Sequence, residues 1–236
     1  MKLHYKQTLK WITTRLLLMG ITALATWRLL TPSEIADEFD IEESIKFDGN
    51  YTIHINESIA SEGYIFTLLS IGSGEDMTIY IGESDVGNDR TFTVVAIESE
   101  DGTSMTESAS SFFVSPYVHG FAPWQVNIAT IGEGEGHLER FIDGILYRLI
   151  DMENIEIFAD YGVYLGVSLG MFSFEAIDFD PESGELSLNP DFNKPSVLFE
   201  LPLDSSLANE ERVQEIIGSS LDVIHSLVQN YFKSPL

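Results

Sequence analysis

The sequence has no cysteine among its 236 residues, and only 12 of those residues are lysine or arginine. The lack of cysteine excludes disulfide bonds and every metal or redox site that is built on thiolates. The few basic residues stand against 38 Asp and Glu residues, which gives a net charge of −26. Because such a surface repels phosphates, nucleic-acid binding is not expected. The charge favours solubility in the first place, and a cationic partner or loosely held divalent cations stay open as alternatives.

The basic residues that are present are unevenly distributed. Residues 1–30 hold five of the 12 and no acid, so the rest of the chain carries seven against all 38 acids. Leu16–Trp27 follows most of these positive charges and has no charged residue. Positive charge before an apolar run predicts a cytoplasmic N-terminus and an acidic body on the other side of the membrane.

Two interpretations of this N-terminal segment remain open. Leu16–Ala25 has the length of the apolar region of a signal peptide, and the small residues around Leu24 predict cleavage after Ala25, which would give a secreted protein. Alternatively, residues 11–30 stay in the lipid bilayer as a single-pass anchor. The helix between Trp11 and Trp27 would be about 24 Å long, and Leu29 and Leu30 extend it toward the bilayer thickness of about 30 Å, so length favours the anchor.

The remainder of the chain divides into an acidic linker over residues 31–49, with one helical turn, and a β-rich body over residues 50–236. Short runs of β-branched, aromatic and alternating residues between turn signals predict the strands. These are Tyr51–Ile55, Tyr64–Ile71, Met77–Ile81, Thr91–Ile97, Phe112–Val118, Gly144–Ile150, Ile155–Asp160, Val163–Ser168, Met171–Phe179 and Val197–Pro202. Pro116 cannot donate a backbone hydrogen bond and therefore predicts an edge position for its strand.

The last segment of the body has apolar residues at helical spacing, which predicts an amphipathic helix over residues 207–232, capped by Ser205 or Ser206 and packed on the sheet. The predicted fold is therefore β-rich α+β. It consists of antiparallel strands in a sandwich or half-barrel with a C-terminal amphipathic helix, preceded by an N-terminal hydrophobic helix.

Residues 166–170 read Gly-Val-Ser-Leu-Gly, a match to the G-x-S-x-G motif of serine hydrolases with Ser168 as the nucleophile. Asp204 and His225 follow in the order that such enzymes use. The motif requires a strand, the serine and then a helix, but the residues after Ser168 alternate as in a strand. The sequence has no second oxyanion-hole motif, and His225 falls within the predicted helix. An envelope serine hydrolase using Ser168 is therefore an alternative hypothesis, and no catalytic residue is assigned.

The stretch from Asp178 to Glu185 is rich in carboxylates, which are ligands that calcium prefers. An EF-hand loop counted from Asp178 needs glycine at its sixth position and glutamate at its twelfth, where the chain has Ser183 and Asn189. Pro181 and Gly184 instead predict a hairpin turn. A structural acidic module that responds to cations stays open because three acids cluster here: Asp178, Asp180 and Glu182. Neither a cofactor nor a metal site is assigned.

Several short sequence segments of the body resemble an uncharacterised family of exported or membrane-anchored domains from Gram-positive bacteria. That family is related to the outer part of anti-sigma-factor-like proteins. The resemblance covers roughly residues 50–215. The segments that carry it are Thr91–Ile97 with Asp101–Met105, Phe113–Gly120 with Trp124–Asn127, Asp143–Leu149 with Glu156–Asp160 and Tyr164–Ser168, Asp180–Glu185, and Phe199–Asp204. The resemblance implies an extracytoplasmic domain with no assigned activity, so it transfers no catalytic residue. The cytoplasmic piece of this chain would be only about the first ten to fifteen residues, which is too short to enclose a sigma factor.

The function predicted from the sequence is thus non-enzymatic binding or sensing at the bacterial cell envelope. The predicted partners are an unidentified protein or other cationic partner, and the lipid bilayer through residues 11–30.

Overall fold

A computed structural model describes residues 28–39, 52–74, 90–106, 111–131, 136–170 and 174–218. The chain divides after Leu30, and the described residues from Thr31 onward belong to one compact unit. The N-terminal hydrophobic segment up to Trp27, the predicted strand Met77–Ile81 and the predicted helix beyond residue 218 lie outside the described residues. Within the described residues, no helix is both long enough and apolar enough to span a membrane.

The body is β-rich and antiparallel, as the sequence predicted. Its larger sheet has the spatial order β1-β2-β3-β6-β5. The bounds of these strands are Thr52–Ser61 for β1, Tyr64–Gly74 for β2, Arg90–Ser99 for β3, Gly136–Ile142 for β5 and Ile145–Glu153 for β6. Two-residue turns join β1 to β2 and β5 to β6, and in each turn both residues have positive φ, which matches the twist of the flanking strands.

A second sheet has the order β10-β7-β4 and faces the first across a shared hydrophobic core. Its strands are Phe112–Val118 (β4), Val163–Leu169 (β7) and Ser196–Glu200 (β10). The rings of Phe66 on β2 and Phe112 on β4 meet edge to face between the sheets, with centroids 5.5 Å apart. β4 lies at an edge of this sheet within the described residues, which confirms the position that Pro116 predicted.

A two-stranded hairpin covers the outer face of this second sheet. It pairs β8 (Ile177–Phe179) with β9 (Leu186–Leu188) around the turn that Pro181 and Gly184 predicted. Ile177 and Leu186 are buried together with Tyr117 of β4 in a small core of their own. The sequence prediction of one long strand from Met171 to Phe179 is wrong over its middle, because Phe174–Ala176 forms a 3-10 turn before β8 begins.

The predicted strand Ile155–Asp160 is also wrong, since Ile155–Phe158 forms a 3-10 helix. All four of its residues are buried, so the side chains do not alternate between a buried and an exposed face as they would in a half-buried strand. The Asn154 side chain accepts a hydrogen bond from the Glu156 amide at 2.9 Å and starts the helix. The Thr91 hydroxyl of β3 accepts the Ile155 amide at 3.1 Å and ties the segment to the larger sheet.

Among the described residues, two α-helices flank the strands. The first, α1 (Pro32–Glu38), starts with a capping box between Thr31 and Glu34 and is longer than the single helical turn that the sequence predicted. Its Ile35 is fully buried, and the ring of Phe39, just after the helix, lies 5.4 Å from the Arg140 guanidinium on β5. The first part of the predicted acidic linker therefore packs as part of the body.

The second helix, α2, covers residues 210–218 of the described chain and confirms a C-terminal helix. Val213 and Ile216 are buried in the core between the sheets, as the apolar face predicted. The predicted cap is wrong: Asn209, not Ser205 or Ser206, accepts a hydrogen bond from the Arg212 amide at 3.1 Å. Ser205–Leu207 instead forms a separate 3-10 turn, which Asp204 caps.

Candidate binding surface

Ser168 lies within β7, the central strand of the smaller sheet, and is only 5% exposed. It pairs with Phe113 of β4 on one side and with Ser196 of β10 on the other. A nucleophile elbow instead presents its serine on a sharp turn between a strand and a helix. The G-x-S-x-G match is thus a stretch of paired strand, and the elbow geometry is not formed at Ser168.

The first glycine of that motif has a packing role. A Cβ atom at Gly166 would lie 2.4 Å from Cε2 of Tyr117, whose side chain is buried against the same sheet face. Real Cβ atoms do not approach other atoms so closely, so only glycine leaves room for this ring. Of the other proposed triad members, Asp204 accepts the Ser206 amide at 2.9 Å as a cap, and His225 is outside the described residues.

The acidic hairpin turn is organised by its own hydrogen bonds. The Asp180 carboxylate accepts the Glu182 amide at 2.9 Å and the Ser183 hydroxyl at 2.7 Å. These bonds favour the ionised carboxylate and lower the pKa of Asp180. Across the part of the chain that the structure describes, no group of three His, Asp or Glu side chains is placed to hold a metal ion.

Two pairs of buried charges hold strands together. The Arg148 side chain on β6 donates to the Phe112 carbonyl of β4 and forms an ion pair with Glu139 of β5. It thereby links the two sheets, and burial lowers its pKa to about 10. A second ion pair joins Arg90 of β3 to Asp151 of β6, and both side chains are almost completely buried. Arg90 and Asp151 are enclosed, and Arg148 is held by partners on both sheets, so we assign both pairs to the framework.

The most exposed large apolar side chain in the described residues is Trp124, at 59%. It stands on a turn in the loop after β4, between the buried residues Ala122 and Val126. The Gln125 side chain accepts the Ala122 amide at 2.9 Å, and the Asn127 side chain donates to the Pro123 carbonyl at 2.9 Å. The turn is therefore internally braced, and it holds the indole ring in solvent on a fixed backbone.

The loop that carries Trp124 is also attached to the rest of the body. The Ser115 hydroxyl of β4 accepts the Ile128 amide at 3.0 Å, so the loop folds back along its own strand. At its start, the His119 amide donates to the Gly162 carbonyl at 3.0 Å, and the Gly120 amide donates to the Gly184 carbonyl at 2.9 Å. These contacts bring the loop together with the segment before β7 and with the hairpin turn.

A second group of aromatic and acidic side chains lies beside this loop. The rings of Phe121 and Tyr161 are 5.3 Å apart, and the Tyr161 hydroxyl donates to a Glu210 carboxylate oxygen at 2.7 Å. Gln214 donates to the other oxygen of Glu210 at 2.8 Å. The hydrogen bond from Tyr161 lowers the pKa of Glu210 and raises that of Tyr161, so the carboxylate stays ionised and the phenol stays neutral.

We call residues 119–131, together with residues 160–162, 180–185 and 210–211, the Trp124 surface. Its charge is strongly negative, because it holds six acids and all six are exposed to solvent. These acids are Asp160, Asp180, Glu182, Glu185, Glu210 and Glu211. The surface has no lysine or arginine, and the neighbouring Arg212 is engaged with Glu153 and Glu215. Trp124 is exposed, whereas Phe121 and Tyr161 are partly buried against the core. An exposed aromatic ring on a negatively charged surface is suited to recognise a positively charged group.

The stretch Trp124–Asn127 was quoted above only for a resemblance, and no site was predicted there. One signal was present, since Gly120, Pro123 and Asn127 around the tryptophan favour turns, and turns run over the protein surface. The link between this loop, Tyr161 and Glu210 spans residues far apart in the chain and had no local signature. Comparisons of the chain with protein-family models, with characterised proteins and with solved structures give no match.

Proposed function

We propose that this protein is a non-enzymatic domain of the bacterial cell envelope that binds or senses a cationic partner outside the cytoplasmic membrane. The observation that carries the proposal is the exposure of Trp124 on an internally braced turn. A braced turn loses little backbone freedom when a partner covers it, and tryptophan is enriched among residues that dominate binding energy.

The charge distribution supports the location. A basic N-terminus before an apolar segment favours an acidic body on the outer side. In this proposal residues 11–30 are the anchor in the lipid bilayer, or the protein is released after cleavage near Ala25. The body would be a two-layer sandwich that presents the Trp124 surface to a partner.

The location can be tested by cysteine labelling, because the native chain has no cysteine. A Ser187→Cys variant places a single thiol on exposed β9, and a Thr8→Cys variant places one before the apolar segment. A maleimide that cannot cross membranes should label the first variant in intact cells and the second only after lysis. Labelling of both variants only after lysis would contradict an outer location.

Binding can be tested by co-sedimentation of the full-length, detergent-solubilised protein with envelope material from a Gram-positive bacterium. Trp124→Ala should reduce the bound fraction. The matched control is Ile53→Ala on β1, which removes another exposed apolar side chain, 43% exposed, from the other sheet. An equal bound fraction for wild type and Trp124→Ala would contradict the role of the Trp124 surface.

A further inference from the structure

We infer that the Trp124 surface recognises a basic polypeptide segment, with a lysine or arginine side chain packed on its aromatic rings. This inference rests on the proposed function and adds the chemical class of the partner. Its three components are the aromatic rings, the charge around them and the rigidity of the loop.

The rings provide the contact for a cation. Trp124 follows Phe121 by three residues on one loop, so their Cα atoms are at most about 11 Å apart. The Phe121 ring lies 5.3 Å from that of Tyr161; these two rings are partly buried, whereas Trp124 is exposed. A guanidinium or ammonium group is attracted to the face of an aromatic ring, most strongly to that of tryptophan. The extended stem of a lysine or arginine also covers apolar surface while its head stays solvated.

The charge selects a positively charged partner. The six carboxylates of the Trp124 surface are exposed, and Glu210 is fixed by hydrogen bonds from Tyr161 and Gln214 next to the ring pair. Charge-assisted hydrogen bonds from a guanidinium to carboxylates are among the stronger polar contacts in proteins. The same charge repels nucleic acids and anionic lipid headgroups.

A saccharide would also stack on an exposed indole, but it would gain nothing from the six carboxylates on the segments that contact this loop. The negative rim therefore favours a basic peptide over a neutral polysaccharide. This distinction gives the experiment its second probe.

The test uses the full-length protein in a non-ionic detergent and measures binding of an acetylated hexa-arginine peptide by titration calorimetry at low salt. The expected result is binding that Trp124→Ala weakens at least about tenfold, the size expected for a tryptophan that dominates an interface. Trp124→Phe keeps a ring face and should retain more affinity than the alanine variant. Ile53→Ala should bind like wild type.

The charge contribution is tested with Asp160→Asn and Glu182→Gln, which should each weaken the binding. Their matched control is Glu57→Gln, which removes an exposed carboxylate from β1 in the other sheet and should change the affinity less. Added salt should weaken the wild-type complex, because it screens interactions between exposed charges.

Three results would overturn the inference. The first is no binding of hexa-arginine at low salt, and the second is binding that is equal in wild type and Trp124→Ala. The third is Trp124-dependent binding of an N-acetylglucosamine oligosaccharide in place of the peptide. Each of these can occur while envelope co-sedimentation still depends on Trp124, so the failure of this inference is distinguishable from the failure of the proposed function.

Discussion

Replacing Gly166 with alanine tests the assignment of the G-x-S-x-G stretch to packing. The added methyl group would lie 2.4 Å from Cε2 and 3.0 Å from Cδ2 of Tyr117. The Tyr117 ring is 2% exposed and packs in the small core with Ile177 and Leu186, so it has little room to move. The substitution therefore forces a displacement of the ring, of the strand or of the hairpin above it.

Overpacking of this kind costs about 1–3 kcal/mol of unfolding free energy. We expect about 2 kcal/mol for Gly166→Ala, because the new methyl group is attached directly to the strand backbone and meets a buried ring. For a domain of roughly 200 residues this lowers the melting temperature by about 4–8 °C. The assay is thermal unfolding of the full-length protein followed by circular dichroism. The matched control is Gly218→Ala in α2, where nothing lies within 4 Å of the added Cβ. Gly218→Ala should be neutral or stabilising, because alanine favours a helix over glycine by about 1 kcal/mol.

The physical cause can be separated from a general loss of strand stability by a double-mutant cycle. In a Tyr117→Leu background the smaller side chain leaves space, so Gly166→Ala should cost clearly less than it does beside tyrosine. An equal loss of unfolding free energy in the two backgrounds would refute the argument that the ring over Gly166 requires a glycine there.

Three further predictions concern other parts of the body. Burial raises the pKa of Tyr117 in the folded protein, so above about pH 10 this side chain ionises in the unfolded chain before it ionises in the folded one. The contribution of neutral Tyr117 to the free energy of unfolding should be complete below that pH and decline as the pH rises further. Tyr117→Phe should reduce this decline, which alkaline unfolding followed by circular dichroism measures. Arg148→Met should lower the free energy of unfolding in urea by about 1–3 kcal/mol, because it leaves the buried Phe112 carbonyl and the Glu139 carboxylate without this donor. A fluorophosphonate probe should give no labelling that Ser168→Ala removes, since Ser168 lies in a paired strand; labelling that depends on this residue would revive the hydrolase hypothesis.

The sequence predicted the larger sheet well where apolar and β-branched residues form uninterrupted runs. Thr91–Ile97 lies inside β3, and Gly144–Ile150 differs from β6 by only a few residues at its ends. Such runs are long enough to be recognised without tertiary information. The hairpin at Pro181 and Gly184 was predicted because proline and glycine fix the backbone of a turn through their own covalent structure.

The sequence failed where tertiary contacts decide the local structure. Ile155–Phe158 reads as a strand, but all four residues are buried and the Asn154 cap turns them into a 3-10 helix. The helix cap was misplaced because Asn209 is also positioned by a backbone bond from its amide to the Ile157 carbonyl at 3.0 Å. Contacts between distant segments have no signature in either segment alone.

The Trp124 surface was missed for the same reason. Its aromatic and acidic residues come from the loop after β4, the turn before β7, the hairpin and the start of α2, and only the folded chain brings them together. The negative charge of the chain was visible in the composition, whereas the position of this surface was not.

The central claim is that a partner covers the Trp124 surface outside the cell membrane, and a thiol on that loop tests it most directly. Ala129 is exposed on the same loop, so Ala129→Cys should react rapidly with a membrane-impermeant maleimide in the purified protein. In intact cells the account predicts slower labelling of this thiol, restored when Trp124→Ala is added, while Ser187→Cys reacts equally in both settings. Equal labelling of Ala129→Cys in cells and in the purified protein would contradict the claim.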